Sequence, residues 1–295
     1  MLGGIEVGGT TCVCVVGSAG RIARVARLPT RDPAATIADA VAFFRAAADD
    51  GHPIDALGVA SFGPLELRPG HPRHGCITTT PKPGWSGTDL LGPLREALGV
   101  PVALDTDVAA AALAEGRLGA TRGVRSFVYV TVGTGIGGGA VVDGTPVHGL
   151  PHPEIGHVSV ARLPGDELPG VCPFHGDCLE GMASGPAIAA RWGRPAEELD
   201  GADLARAVEV EAHYLAAGLR NVVYALAPER IVLGGGVARM SGLLPAVRTR
   251  LSEALGGYPG LPEQAAADFV VAPALGPAAG ATGALLLAES ARPAA

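Results

Sequence analysis

Apolar and polar positions alternate along GGIEVGGTTCVCVVG with the two-residue period of strands, interrupted at Gly8 and Gly9, so the segment predicts strand, tight turn, strand. Downstream, AATIADAVAFFRAAADD repeats its apolar residues at helical spacing. IDALGVASFGPL predicts a strand ending in a loop, GTDLLGPLREALG a helix, and VPVALDTD a strand with acids at its carboxyl end. VAAAALAEGRLG is again helical and closes on a glycine. Then the opening pattern returns. SFVYVTVGTGIGGGAVVDG is strand, glycine turn, strand, and Gly133 stands 125 positions after Gly8. Two glycine hairpins one domain-length apart point to an internal duplication. Beyond them the pattern predicts helices near 183–192 and 202–227, a strand in ERIVLGGGV that enters a glycine turn, and a helix near 241–255. FVVAPAL is a last strand and AAGATGALLLAE a last helix. Strands and helices mixed throughout predict an α/β protein.

Composition narrows the function classes. The chain has 295 residues, 48% hydrophobic and 17% charged, which fits a soluble globular protein long enough for two domains of roughly 100–150 residues. A net charge of −7 leaves no basic footprint for nucleic acid. No run of 18 apolar residues predicts a membrane span, and the start MLGGIEVGGTTCVCVV lacks the basic n-region and long apolar core of a signal peptide. A cytoplasmic location is therefore expected, with its thiols reduced. Cys12 and Cys14 alternate with Val13 and Val15, so both are expected in the core.

Three patterns carry chemistry. EVGGTT and VGTGIGGG are turns in which glycine lets backbone N–H groups approach an anion, with Thr10 and Thr134 as further donors. GTGIGG opens a β-run here, not the helix that a dinucleotide fingerprint must open, so that reading is rejected. LGGGVA, between a strand and a helix, allows a flat ring or sugar against the backbone. Asp105 and Asp107 end a strand before an alanine-rich helix. Either is an N-cap candidate, and the other reading is a general base for a hydroxyl that attacks a phosphate. Finally, Cys172, His175 and Cys178 are spaced C-x2-H-x2-C, and His157 or His152 would complete a tetrahedral zinc site. Four protein ligands leave no open position, so that zinc would be structural.

In this order the segments resemble the ROK family (repressor, open reading frame, kinase) of sugar kinases, and within it the bacterial fructokinase branch. GGIEVGGTT is similar to the family's first phosphate loop, VGTGIGGG to its second, and IVLGGGV to its adenosine-side turn. VASFGPL and CITTTPKPGW are similar to the fructokinase substrate segments, and HPEIGH with CPFHGDCLEG to the sugar-and-zinc motif. The resemblance implies an actin-like, ribonuclease-H-like fold, two α/β domains closing on a cleft for ATP and sugar. Its N-terminal domain would span 1–112, joined by a C-terminal helix at 281–295, and its C-terminal domain 113–280. The implied activity is ATP-dependent phosphorylation of fructose at the 6-hydroxyl, with Mg2+. Another hexose, mannose or glucose, and a non-catalytic sugar-binding regulator are the alternatives.

The resemblance also implies residue roles. Asp107 becomes the catalytic base. Gly8, Gly9, Thr10, Thr11, Gly133, Thr134, Gly135, Gly234, Gly235 and Gly236 would line the ATP site, and Ser61, Gly63, Pro64, Glu154, His157 and Glu180 the sugar site. His157, Cys172, His175 and Cys178 become the zinc ligands, which sets His152 aside. A homodimer follows from the resemblance alone. Three positions depart from the family pattern: Thr11 stands where lysine usually follows GGT, Ala109 where asparagine is common, and GPAAG replaces a stretch that usually carries asparagine.

Overall fold

The computed structural model describes residues 1–292, so the end of the helix expected at 281–295 lies outside the described residues. The strands are β1 (Leu2–Val7), β2 (Thr11–Ser18), β3 (Arg21–Pro29), β4 (Ala56–Ser61), β5 (Val102–Thr106), β6 (Phe127–Val132), β7 (Ile136–Val142), β8 (Thr145–Pro146), β9 (Arg230–Gly234) and β10 (Val270–Val271). The helices are α1 (Pro33–Asp49), α2 (Leu91–Leu98), α3 (Asp107–Leu118), α4 (Leu179–Ala183), α5 (Gly185–Trp192), α6 (Gly201–Leu226), α7 (Leu243–Leu255) and α8 (Ala279–Ala291). Among the described residues no helix is long and apolar enough to cross a membrane.

Two five-stranded sheets repeat one plan. The first runs β3-β2-β1-β4-β5 and the second β10-β9-β6-β7-β8. In each, a central strand pairs antiparallel with its hairpin partner and parallel with a later strand: β1 with β2 and β4, β6 with β7 and β9. The duplication read from the glycine hairpins is thus a duplication of topology. Two strand expectations change. The segment RIARVARLP forms an unforeseen edge strand, β3, whose arginines recur every third residue and so mask its two-residue period. FVVAPAL keeps only two residues in strand pairing, Val270 and Val271.

The chain divides into two compact units. One comprises residues 1–122, 146–153 and the chain from Pro277 onward, and the other residues 123–145 and 154–276. The division falls after Arg122, where the expected boundary stood at 112, because α3 continues to Leu118 and packs along α8.

In the first unit the sheet is buried on both faces. Ile5, Val7, Cys12, Cys14, Leu57 and Val59 pack with Phe44 of α1, Leu94 of α2 and Trp85. Leu2, Val13 and Val15 pack on the other face against Ala281 and Leu285 of α8. Cys12 and Cys14 are fully buried, as their alternation predicted. Each large side chain buried this way stabilises the unit by about 1.5–3 kcal/mol. Gly58 lets α8 reach the sheet, since a Cβ there would lie 1.8 Å from the Ala284 carbonyl oxygen.

Candidate active site

The first unit gathers acids around the β1–β2 turn and the start of α3. Glu6 is the penultimate residue of β1, and its carboxylate packs against Gly280 at the start of α8. Burial, then the negative charge of Asp107, pushes the Glu6 carboxyl up to about 7, against the opposing pull of Arg27 and the Ala281 amide. Asp107 is the first residue of α3, and its Oδ1 accepts the Val108 N–H at 2.9 Å. Burial pushes its carboxyl up to about 6, and backbone hydrogen bonds hold it from rising further.

Neither Asp105 nor Asp107 is the N-cap of α3. Thr106 is, its hydroxyl accepting the Ala109 N–H at 3.1 Å. With the cap supplied by Thr106, the Asp107 carboxylate accepts from backbone amides at the start of α3, its own and that of Val108. Asp105 accepts the Thr106 N–H at 2.7 Å and lies 3.0 Å from His148 Nε2, a contact that raises the His148 pKa. His152 Nε2 accepts the Leu65 N–H at 3.0 Å and sits 3.1 Å from where a Gly63 Cβ would be. It thereby supports the 63–65 loop and lies outside the Cys/His cluster. Gly63 and Pro64 are half-buried, whereas Ser61 is buried and donates its hydroxyl to the Phe62 carbonyl.

In the second unit the β6–β7 turn closes with the Gly133 amide on the Gly135 carbonyl at 2.9 Å, and the Gly185 amide at the start of α5 donates to the Gly133 carbonyl at 2.7 Å. Glu180 Oε2 accepts the Ile136 N–H at 2.9 Å, and a Cβ at Gly135 would stand 2.7 Å from that oxygen. The Glu180 carboxylate therefore rests on the second glycine turn. Gly133, Thr134 and Gly236 line one cavity of about 940 Å³ with Pro186, Val237 and Arg239. That volume lies in the range of small-molecule sites. Gly234 and Gly235 do not line it. Gly234 makes room for the Tyr129 hydroxyl, and Gly235 has φ +95° tight against the Val132 backbone.

His157, Cys172, His175 and Cys178 bring one donor atom each to within 4.8 Å of one another. Cys172 Sγ lies 3.7 Å from His157 Nδ1 and 3.8 Å from His175 Nδ1, and Cys178 Sγ lies 3.6 Å from His157 Nδ1. With metal–sulfur bonds of about 2.3 Å and metal–nitrogen bonds of about 2.0 Å, a tetrahedron separates sulfur from nitrogen by about 3.5 Å, so the donor set fits. The local chain explains the fit. Gly176, at φ +64°, closes the loop through paired hydrogen bonds with Cys172, and the Leu179 amide ties it to the Val158 carbonyl beside the 155–157 turn. All five cysteines are free thiols, and no disulfide joins Cys172 to Cys178.

The family model described as ROK family matches residues 2–291. The chain belongs to the ROK family. It is 45% identical over 295 residues to a fructokinase of Zymomonas mobilis, covering 98% of this chain and 96% of that protein. It is 41% identical over 294 residues to a putative fructokinase of Bacillus subtilis, covering 99% and 96%. Among solved structures it resembles a ROK family glucokinase from Streptomyces griseus in complex with glucose and AMPPNP, with TM-score 0.78, 26% identity, and 98% and 99% of the two chains covered. Such neighbours carry the two-domain actin-like fold of ROK sugar kinases, and the paired sheets of this chain match it.

For a ROK chain, sequence reasoning passed over Glu6, His148 and the capping Thr106. Glu6 had a usable signal, an acid in an apolar strand two residues before a glycine turn. His148 had none, because its partner Asp105 lies 43 positions away.

Proposed function

We propose that the chain transfers the terminal phosphoryl group of ATP to the 6-hydroxyl of fructose, giving fructose 6-phosphate and ADP. The observation that carries this reading is full-length identity of 45% and 41% to the fructokinase and the putative fructokinase. The nucleotide enters as its magnesium complex, so Mg2+ is part of the substrate. Gly8, Gly9, Thr10 and Thr11 on one unit, and Gly133, Thr134, Gly135 and Gly236 on the other, supply backbone and hydroxyl donors to the phosphates. Gly234 and Gly235 act behind them by shaping the turn.

Asp107 is the base in this proposal. Its carboxylate accepts the proton of the 6-hydroxyl as the hydroxyl oxygen attacks the γ-phosphorus in line with the leaving ADP. A carboxyl pushed up to about 6 is ionised at neutral pH yet more basic than an ordinary aspartate, which favours the transfer. Gly63, Pro64, Glu154, His157 and Glu180 orient the sugar, and Ser61 supports them from beneath. A zinc ion held by His157, Cys172, His175 and Cys178 would fix the loop that carries Glu180, and its chemistry is structural. A cytoplasmic setting, in keeping with five free thiols, and a homodimer complete the proposal.

A second reading, another hexose as acceptor, is favoured by the glucose bound in the Streptomyces neighbour. An ADP-release assay over fructose, mannose and glucose tests both. Highest kcat/KM with fructose is expected. A higher value with glucose or mannose replaces the substrate, and no turnover with any hexose despite sugar binding replaces the enzyme with a sugar-binding regulator.

A further inference from the structure

Of the 22 basic side chains, only one is a lysine, Lys82. Its ammonium lies on the first glycine turn, where Nζ donates to the Gly9 carbonyl at 2.6 Å. The side chain is held there. It comes from the segment TTTPKPGW, anchored by Trp85, which is 1% exposed and donates Nε1 to the Arg31 carbonyl at 3.0 Å. The Trp85 amide donates back to the Lys82 carbonyl at 3.2 Å, and Nζ lies 5.8 Å from the indole centroid.

The turn itself is organised around its carbonyls. Thr30 Oγ1 donates to the Gly8 carbonyl at 2.8 Å, Lys82 to that of Gly9, the Thr30 amide to that of Thr10 at 2.9 Å, and the Gly8 amide to that of Thr11 at 3.0 Å. All four carbonyls are therefore occupied. Among the described residues no backbone carbonyl accepts from the Gly9 or Thr10 amide. A Cβ on Gly9 would meet nothing within 4 Å, so space beside the turn is open. Free amides beside a fixed cation form an anion site. Thr11, next in the chain, adds a hydroxyl and no charge.

We propose that Lys82 binds the terminal phosphates of ATP, its ammonium completing the anion site of the Gly8–Thr11 turn. One of its three protons is held by Gly9, and the remaining two are available to phosphate oxygens. A compact ammonium fits a contact of 2.6 Å to a backbone carbonyl and a phosphate together, where a planar guanidinium needs a wider approach. The assignment rests on the phosphotransferase reading and names the residue that supplies its missing positive charge.

A single lysine makes the test direct. The wild-type protein is treated with sulfosuccinimidyl acetate, and acetylation of Lys82 and of the Met1 amine is followed by peptide mass spectrometry. At ten times its dissociation constant MgATP should slow Lys82 acetylation about tenfold, with adenosine and fructose without effect and Met1 unaffected by all three. Equal protection by adenosine, or none by MgATP while fructose turnover proceeds, overturns the proposal. Protection by MgATP in a protein that turns over no hexose retains the lysine assignment and removes the fructokinase reading. In steady state, Lys82→Met should raise KM for MgATP about ten- to a hundredfold and leave KM for fructose within about twofold, with Lys82→Arg recovering part of the loss. A lysine that only pins its loop would raise both KM values together and lower Tm.

Discussion

Replacing Asp107 by Asn tests the base directly, because the substitution changes the proton chemistry and little else. Asparagine keeps an oxygen to accept the Val108 N–H now held at 2.9 Å, and the Thr106 cap on Ala109 is untouched, so Tm should stay within about 2 °C. Lost is the group proposed to take the hydroxyl proton. A general base contributes about 10²–10⁴-fold, or about 2.7–5.4 kcal/mol of barrier. The pH dependence makes the test sharper. The carboxyl pushed up to about 6 must be ionised to act, so activity is present above that pH and lost as pH falls through it. From pH 7 to pH 5 the ionised fraction falls roughly tenfold, whereas a base at the ordinary aspartate pKa near 3.9 would hold nearly constant. The assay is coupled ADP release from pH 5 to 8, read as kcat/KM for fructose because that ratio reports the base before the sugar binds, with quenched single turnovers to separate chemistry from product release. Wild type should show an acid limb near pH 6, and the residual activity of the variant should lack it. A variant within tenfold of wild type in single turnover, or a wild-type limb near pH 4, refutes the assignment.

Two further predictions concern the second unit. Protein purified without added metal should carry about one equivalent of zinc, and Cys178→Ser should lose it with a fall in Tm of at least about 3 °C, measured by elemental analysis and thermal melts; metal-free wild type with an unchanged Tm ends the zinc proposal. Glu211 is fully buried with neither carboxylate oxygen hydrogen-bonded, 3.7 Å from Arg191, and burial raises its pKa well above the ordinary value despite that arginine. A raised carboxyl pKa means the folded state holds the proton more tightly, so stability falls as pH climbs from the unfolded pKa toward the folded one. Glu211→Gln should therefore melt above wild type at pH 8 and converge with it at pH 5. A lower Tm for the variant at pH 8 would show that the pair with Arg191 stabilises the fold.

What was legible in the chain was whatever is encoded at short range. The two hairpins announce themselves because β-period alternation on both sides of a glycine pair has few other solutions. Three of the four cluster donors sit within seven residues, and the fourth lies one turn of fold away on a 3₁₀ segment. The capping of α3 was legible in principle, yet two acids drew attention from Thr106, whose hydroxyl reaches the Ala109 amide while Asp107 sits one position too far into the helix. Edge strand β3 was hidden because Arg21, Arg24 and Arg27 recur every third residue, out of step with the two-residue period of a strand. Contacts such as Glu180 to Ile136 and Lys82 to Gly9 span 44 and 73 positions, and no local period records them.

Those two long-range contacts show what the duplication has done. The repeated sheets supply each unit with a glycine hairpin, closed by Gly8 on Thr11 in the first and by Gly133 on Gly135 in the second, and in each a side chain from elsewhere in the sequence meets the turn. The charges differ. On β6–β7 a carboxylate, Glu180, takes the Ile136 amide, so one donor of that turn is withdrawn from any anion and a negative charge stands beside it. On β1–β2 an ammonium takes a carbonyl, so both donors of the turn stay free and a positive charge is added. The two turns are thus unequal as anion sites. The first turn is the better anion site, and the second opens on the 940 Å³ cavity. A duplicated fold needs only one residue brought to each hairpin to break its symmetry, and here those residues are Lys82 and Glu180.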